Sequence, residues 1–92
     1  MLPRFRADFV RLSPAQQAAC LGAVAQFVED LRAGGQFRKR LRVKGVQGAP
    51  GVFEMTWAPD GRATFEYGDE IKPGEPHVIW RRIGTNDIFR QP

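Results

Sequence analysis

The chain has 92 residues, room for one compact unit whose folding removes roughly 60–65% of the unfolded chain's surface from water. Its 42% hydrophobic and 26% charged residues set it apart from disordered, collagen-like and membrane-spanning chains, and a lone Cys20 with a lone His77 supplies neither a disulfide framework nor the three or four ligands of a zinc site. The net charge of +4 is unevenly spread: residues 36–44 carry five bases and no acid, residues 45–76 two bases against six acids, and the last sixteen residues return to +2. Charge separated in this way suits a polyanion at one end of the molecule, although a solvated face is the plainer reading. One free cysteine fits a reducing, cytoplasmic setting. Met1 to Val10, with Arg4, Arg6 and Asp8 among isolated apolar residues, reads as neither signal peptide nor membrane span.

In chain order, Phe5, Phe9 and Leu12 fall at i, i+4 and i+7, the stripe of a short amphipathic helix ending near Leu12. Ser13, Pro14 and Gln16 then supply an N-cap, a proline at the first helical position and the far member of a capping box. The second helix turns Cys20, Val24, Phe27, Val28 and Leu31 inward and stops at Gly34 and Gly35. Beyond Phe37 the period becomes 2. Leu41 and Val43 alternate with Arg42 and Lys44, and Phe53, Met55 and Trp57 with Glu54, Thr56 and Ala58, as in half-buried strands joined by a loop over Gly45–Gly51.

Register arithmetic predicts the next turn. A two-residue loop of Asp60 and Gly61 sets Trp57 across from Thr64 and Met55 across from Glu66. A three-residue loop of Pro59, Asp60 and Gly61 instead pairs Trp57 with Ala63, Met55 with Phe65 and Phe53 with Tyr67, gathering the large apolar residues on one face. The opposite face then sets Glu54 across from Glu66, with Arg42 and Lys44 as the bases that relieve the repulsion. After a proline and glycine loop over Gly68–Pro76, a last strand from His77 to Ile83 offers Val78 and Trp80 to one side and Ile79 and Ile83 to the other, a pattern expected mid-sheet. The expected architecture is one α+β domain over residues 1–92, with an N-terminal helical hairpin packed on one face of a small antiparallel β-sheet and a polar, basic opposite face.

Three stretches then resemble the RelE/ParE superfamily of toxins from type II toxin-antitoxin operons: Leu41–Gly45 (LRVKG), the hairpin Gly51–Tyr67 with Arg62–Phe65 (RATF) inside it, and Arg82–Phe89 (RIGTNDIF). No single stretch is specific; their order and spacing in so short a chain carry the likeness. The resemblance implies the fold just described. It also implies one of two activities: metal-free cleavage of messenger RNA in the ribosomal A site, as in RelE-like members, or poisoning of DNA gyrase without RNA cleavage, as in ParE-like ones. Implied partners are a cognate antitoxin that lays an acidic segment on the basic surface, with higher-order complexes, and no cofactor, metal or membrane.

Cleavage by the substrate's own 2′-hydroxyl requires a base, an acid and fixed cations around the phosphate. Arg62 matches the family's arginine and suits a phosphate clamp, its alternative being an ion pair with Glu54 or Glu66. Lys44 and Arg42 are backbone-binding candidates, with protection of an edge strand as the alternative. Arg38, Lys39 and Arg40 suit general attraction to ribosomal RNA, and Arg81 and Arg82 extend the basic set. Glu54 is the candidate general base, Glu66 its rival, and Asp60 belongs to the turn. Asn86 stands where many relatives carry histidine. An amide does not titrate, so Asn86 binds substrate while Asp87 or a ribosomal group donates the proton, or the chain is inactive. Phe89 and Tyr67 have the chemistry to stack on bases, with Tyr67 read as core; Cys20, Trp57 and Trp80 are read as core and His77 as a surface residue.

Overall fold

Ser13 starts the longer helix as its sequence predicts: the Gln16 N–H donates to Ser13 Oγ at 3.1 Å, and the Ser13 N–H donates to Gln16 Oε1 at 2.9 Å. The computed structural model describes residues 1–92 and places α1 (Pro3–Arg11) and α2 (Pro14–Arg32) ahead of an antiparallel sheet of β1 (Lys44–Gly45), β2 (Val52–Ala58), β3 (Gly61–Gly68) and β4 (His77–Gly84). The α+β class is therefore as expected. α2 stops where Gly34 and Gly35 take φ of 124° and 83°, so that the Gly35 N–H reaches back to the Asp30 carbonyl at 3.0 Å and satisfies an orphan acceptor.

The expected strand over Leu41–Lys44 is nearly absent. Lys39–Leu41 forms a 3-10 turn that buries Leu41, Arg42 closes it in the left-handed region (φ 49°, ψ 46°), and only Lys44 and Gly45 pair with β2. The turn buries Leu41 fully while Val43, half-buried, packs on the same core, so both apolar residues reach the helical side without a strand over 41–43.

The β2–β3 hairpin departs from the expected register by two residues. Pro59 and Asp60 alone form its loop, Ala58 opposes Gly61, and Trp57 is the extra residue of a bulge before Thr56 meets Arg62. Met55 thus pairs with Ala63 and Phe53 with Phe65. A slip of two leaves every side chain on its expected face, since the strand period is two. It also separates Glu54, now opposite Thr64, from Glu66, now opposite Val52. The bulge lets the Trp57 indole donate to the Arg62 carbonyl at 3.0 Å and lie over Gly61, where a Cβ would sit 2.5 Å from the ring. Gly61 is required for that close approach and not for a left-handed turn.

The core lies between the helices and the sheet. Phe27 of α2 sits at its centre, stacked on Phe37 (4.6 Å between centroids, 10° between planes) and meeting Phe65 edge-on at 4.9 Å and Trp80 at 5.2 Å. Phe5, Cys20, Ala23, Leu41, Met55, Trp57, Ala63, Phe65 and Ile83 complete the buried cluster. Full burial of each phenylalanine stabilises the fold by about 1.5–3 kcal/mol. Tyr67, expected in the core, is 45% exposed at its rim, edge-on to Phe53 and Phe65.

β4 lies at the edge of the sheet, not in its middle, and Arg81 is a bulge between the Thr64–Arg82 and Phe65–Trp80 pairs. The bulge resets the alternation and brings Ile83 to the helical side with Trp80, against the reading that put them on opposite faces. The apolar pattern that suggested a central strand has another cause: α1 packs along this edge. The Leu2 N–H donates to the Trp80 carbonyl at 2.9 Å, and the Asp8 carboxylate accepts from the Ile83 N–H at 3.2 Å. Edge groups that would otherwise invite another strand are thereby filled. Asp8 also takes the Arg82 guanidinium at 2.6 and 3.1 Å while only 9% exposed. We predict that Asp8→Ala, which strands a largely buried arginine and a strand N–H, costs about 2–3 kcal/mol in chemical denaturation. A loss under about 0.5 kcal/mol would refute the clamp.

Candidate functional site

Antiparallel register sets the face opposite the helices in rows. One row runs Lys44, Glu54, Thr64, Arg82, and its neighbour Thr56, Arg62, Gly84, which leads straight into the 3-10 turn Asn86–Arg90. Lys44 and Glu54 therefore share one row of the polar face, and Arg62 stands in the next row, opposite Gly84 and so toward the Asn86–Arg90 turn. Lys44 Nζ lies 3.8 Å from Glu54 Oε1, the lysine side chain 62% exposed and the glutamate 13%.

Arg62 is on the polar face, and it pairs with neither Glu54 nor Glu66. Its Nη1 donates to the carbonyls of Gly61, Ala58 and Pro59 at 2.9, 3.2 and 3.3 Å, wrapping the guanidinium over its own hairpin loop. Carbonyls left open by the bulged turn attract it there. Its Nε and Nη2 have no protein partner and remain able to receive an anion.

Several expected phosphate contacts are engaged within the protein. Arg38 grips Asp30 by two side-chain bonds at 2.8 and 2.9 Å, with Glu29 at 3.6 Å. Arg82 is held by Asp8, which raises its guanidinium further above its ordinary value, and its Nη1 reaches the Gln91 carbonyl at 3.2 Å. Arg81 donates to Glu66 at 3.1 Å, which removes Glu66 as a free base. Arg40 donates to Gln26. Lys39 and Arg42 are exposed at the 3-10 corner, where the left-handed turn takes Arg42 out of the row that was to join it to Lys44. The open cations thus form a corner beside Lys44, in place of a continuous basic sheet.

Asn86 and Asp87 are exposed, Phe89 is half-buried, and buried Ile88 anchors their turn beneath Gly84, whose added Cβ would lie 3.0 Å from it. His77 pairs with Gly68 at the opposite end of the strands, its Nδ1 3.0 Å from the Asp69 carbonyl. No three His, Cys, Asp or Glu side chains converge to hold a metal, and no helix is long and apolar enough to cross a membrane. Thr64 and Asp8 escaped the sequence reading. Thr64 gives no signal in the order of residues. Asp8 gives one, as the only acid before Glu29. In comparisons with protein-family models, curated proteins and solved structures, nothing matches the chain.

Arg38 holds the Asp30 carboxyl down at about 2, from an ordinary 3.8. A depressed carboxyl stabilises the fold above its unfolded value and loses that effect as pH falls through its folded one. Melting temperature should fall between pH 4 and 2 in the wild type, and the decline should be shallower in Arg38→Ala. Arg42→Gly removes the cost of a left-handed arginine and should raise stability by about 0.5–1 kcal/mol, or roughly 3–6 °C in Tm. An unchanged or lower Tm would count against that strain.

Proposed function

We propose that this chain is a toxin of the RelE/ParE type, acting in the cytoplasm as a ribosome-dependent endoribonuclease on messenger RNA and neutralised by an antitoxin from the same operon. One observation carries the reading: Lys44, Glu54 and Arg62 occupy adjacent rows on the face away from the helices, next to the Asn86–Arg90 turn. A base, two phosphate-binding cations and a substrate-positioning amide are then within reach of one phosphodiester. Glu54, whose only ion-pair partner is Lys44 at the long distance of 3.8 Å, is the base that takes the 2′-hydroxyl proton. The free Nε and Nη2 of Arg62, with Lys44, stabilise the charge that grows on the phosphate. Asn86 positions the substrate, and Asp87 or a ribosomal group protonates the departing 5′ oxygen. Lys39, Arg40 and Arg42 steer the protein toward ribosomal RNA, and the antitoxin's acidic segment covers this corner, alone or within a larger complex.

Ribosome-bound message incubated with purified protein tests this. Cleavage should fall about a hundredfold in Arg62→Ala and in Glu54→Gln, and rise in Asn86→His. If none of these proteins, wild type included, cleaves, the enzyme reading is wrong.

The wrapping of Arg62 over its own turn, together with an untitratable Asn86, favours a second reading: a family member without catalysis, either a gyrase inhibitor or a subunit of a repressor complex. A gyrase inhibitor would block DNA supercoiling and would be indifferent to Arg62→Ala.

A further inference from the structure

Two donors on the sheet face converge on a single oxygen. The Thr64 hydroxyl, on a residue with no exposed surface, donates to the Pro92 backbone oxygen at 2.9 Å, and Arg81 Nε donates to the same oxygen at 3.1 Å. A hydroxyl and a guanidinium aimed at one point make an oxyanion cradle. The β4 bulge builds it. Arg81 is the extra residue between the Thr64–Arg82 and Phe65–Trp80 pairs, and bulges re-aim side chains in this way. Glu66, accepting from Arg81 Nη1 at 3.1 Å, fixes the guanidinium from its other side.

The occupant is held by hydrogen bonds and not by burial. Beyond buried Ile88 no side chain of the segment is buried, and Gln91 and Pro92 are held by four side-chain bonds: those from Thr64 and Arg81, one from Arg82 to the Gln91 carbonyl at 3.2 Å, and one from Arg4 to Gln91 Oε1 at 2.9 Å. The last two are exposed. Thr64 lies across from Glu54 and two residues along β3 from Arg62, a backbone separation of about 6.6–6.8 Å that is close to one step of a nucleotide chain. Glu66 and Glu54 beside it disfavour a doubly charged phosphate and leave a singly charged diester as the fitting anion.

We propose that Thr64 and Arg81 form a second phosphodiester-oxygen subsite for single-stranded RNA, and that the Gln91–Pro92 segment closes it in the free protein, so that binding must displace this strap. The subsite rests on the reading of the protein as one that holds a ribonucleotide chain, but not on cleavage.

Fluorescence anisotropy with a labelled single-stranded RNA decamer, without ribosomes, tests it. Thr64→Val and Arg81→Gln should each weaken binding about fivefold to tenfold while Thr64→Ser keeps it, and Arg81→Gln should lower the slope of log K against log salt by about 0.7. The double variant Gln91→Gly, Pro92→Gly loosens the strap and should tighten binding about threefold to tenfold, a gain lost when Thr64→Val is added. Melting curves identify any variant that fails to fold, and Thr64→Ser and the strap variant then carry the test. Unchanged affinity and salt slope in folded Thr64→Val and Arg81→Gln would overturn the subsite, as would no binding by either the wild type or the strap variant. Unchanged affinity in the strap variant would overturn the closure. If the affinity changes appear and ribosome-bound message stays whole, the subsite stands and the nuclease reading falls.

Discussion

The Asp8 carboxylate is the joint on which the arrangement depends. It is the only acid in the first 28 residues, and it meets three donors, all on β4: Nε and Nη2 of Arg82 and the backbone N–H of Ile83. A carboxylate so nearly buried is tolerable only when its lone pairs are filled, and here one strand fills them. The same contact seats α1 on the exposed edge of the sheet and holds Arg82 where its remaining nitrogen can take the Gln91 carbonyl. Edge protection, helix placement and the path of the last residues thus share one cause.

Against that joint, the aromatic core does the unspecific part of the stabilisation. Phe27 touches Phe37, Phe65 and Trp80 from the C-terminal half of a 19-residue helix, and each contact is near the separation that aromatic pairs favour. The core tolerates the two-residue slip of the β2–β3 hairpin because any even slip keeps Phe53, Met55, Trp57, Ala63 and Phe65 facing the helices. Hydrophobic burial therefore chose the face. The choice among even registers fell to the turn, where the Trp57 indole both bonds the Arg62 carbonyl and covers Gly61.

That register has a chemical consequence. With Glu54 opposite Thr64 and Glu66 held by Arg81, the two carboxylates do not repel across the sheet, and Glu54 keeps only a distant lysine. Pairing also reshapes the electrostatics. Arg38, Arg81 and Arg82 are paired with Asp30, Glu66 and Asp8, so among the cations expected at the site the exposed ones are Lys39, Arg40, Arg42 and Lys44. A formal charge of +4 says nothing of this division.

The order of residues was enough to determine the two helices, the caps of the second, the parity of the β2–β3 hairpin and the α+β class, because each of these depends on interactions within a few positions along the chain. It also brought Lys44, Glu54 and Arg62 into one candidate group. Tertiary structure alone decided that Leu41 reaches the core from a 3-10 turn and not from a strand, that β4 is an edge capped by α1, and that Arg62 folds onto its own turn. It alone decided which base meets which acid. Asp8 and Arg82 lie 74 positions apart, and Thr64 and Pro92 28. At such separations no periodicity links the partners; only the folded path of the chain brings them within hydrogen-bonding distance.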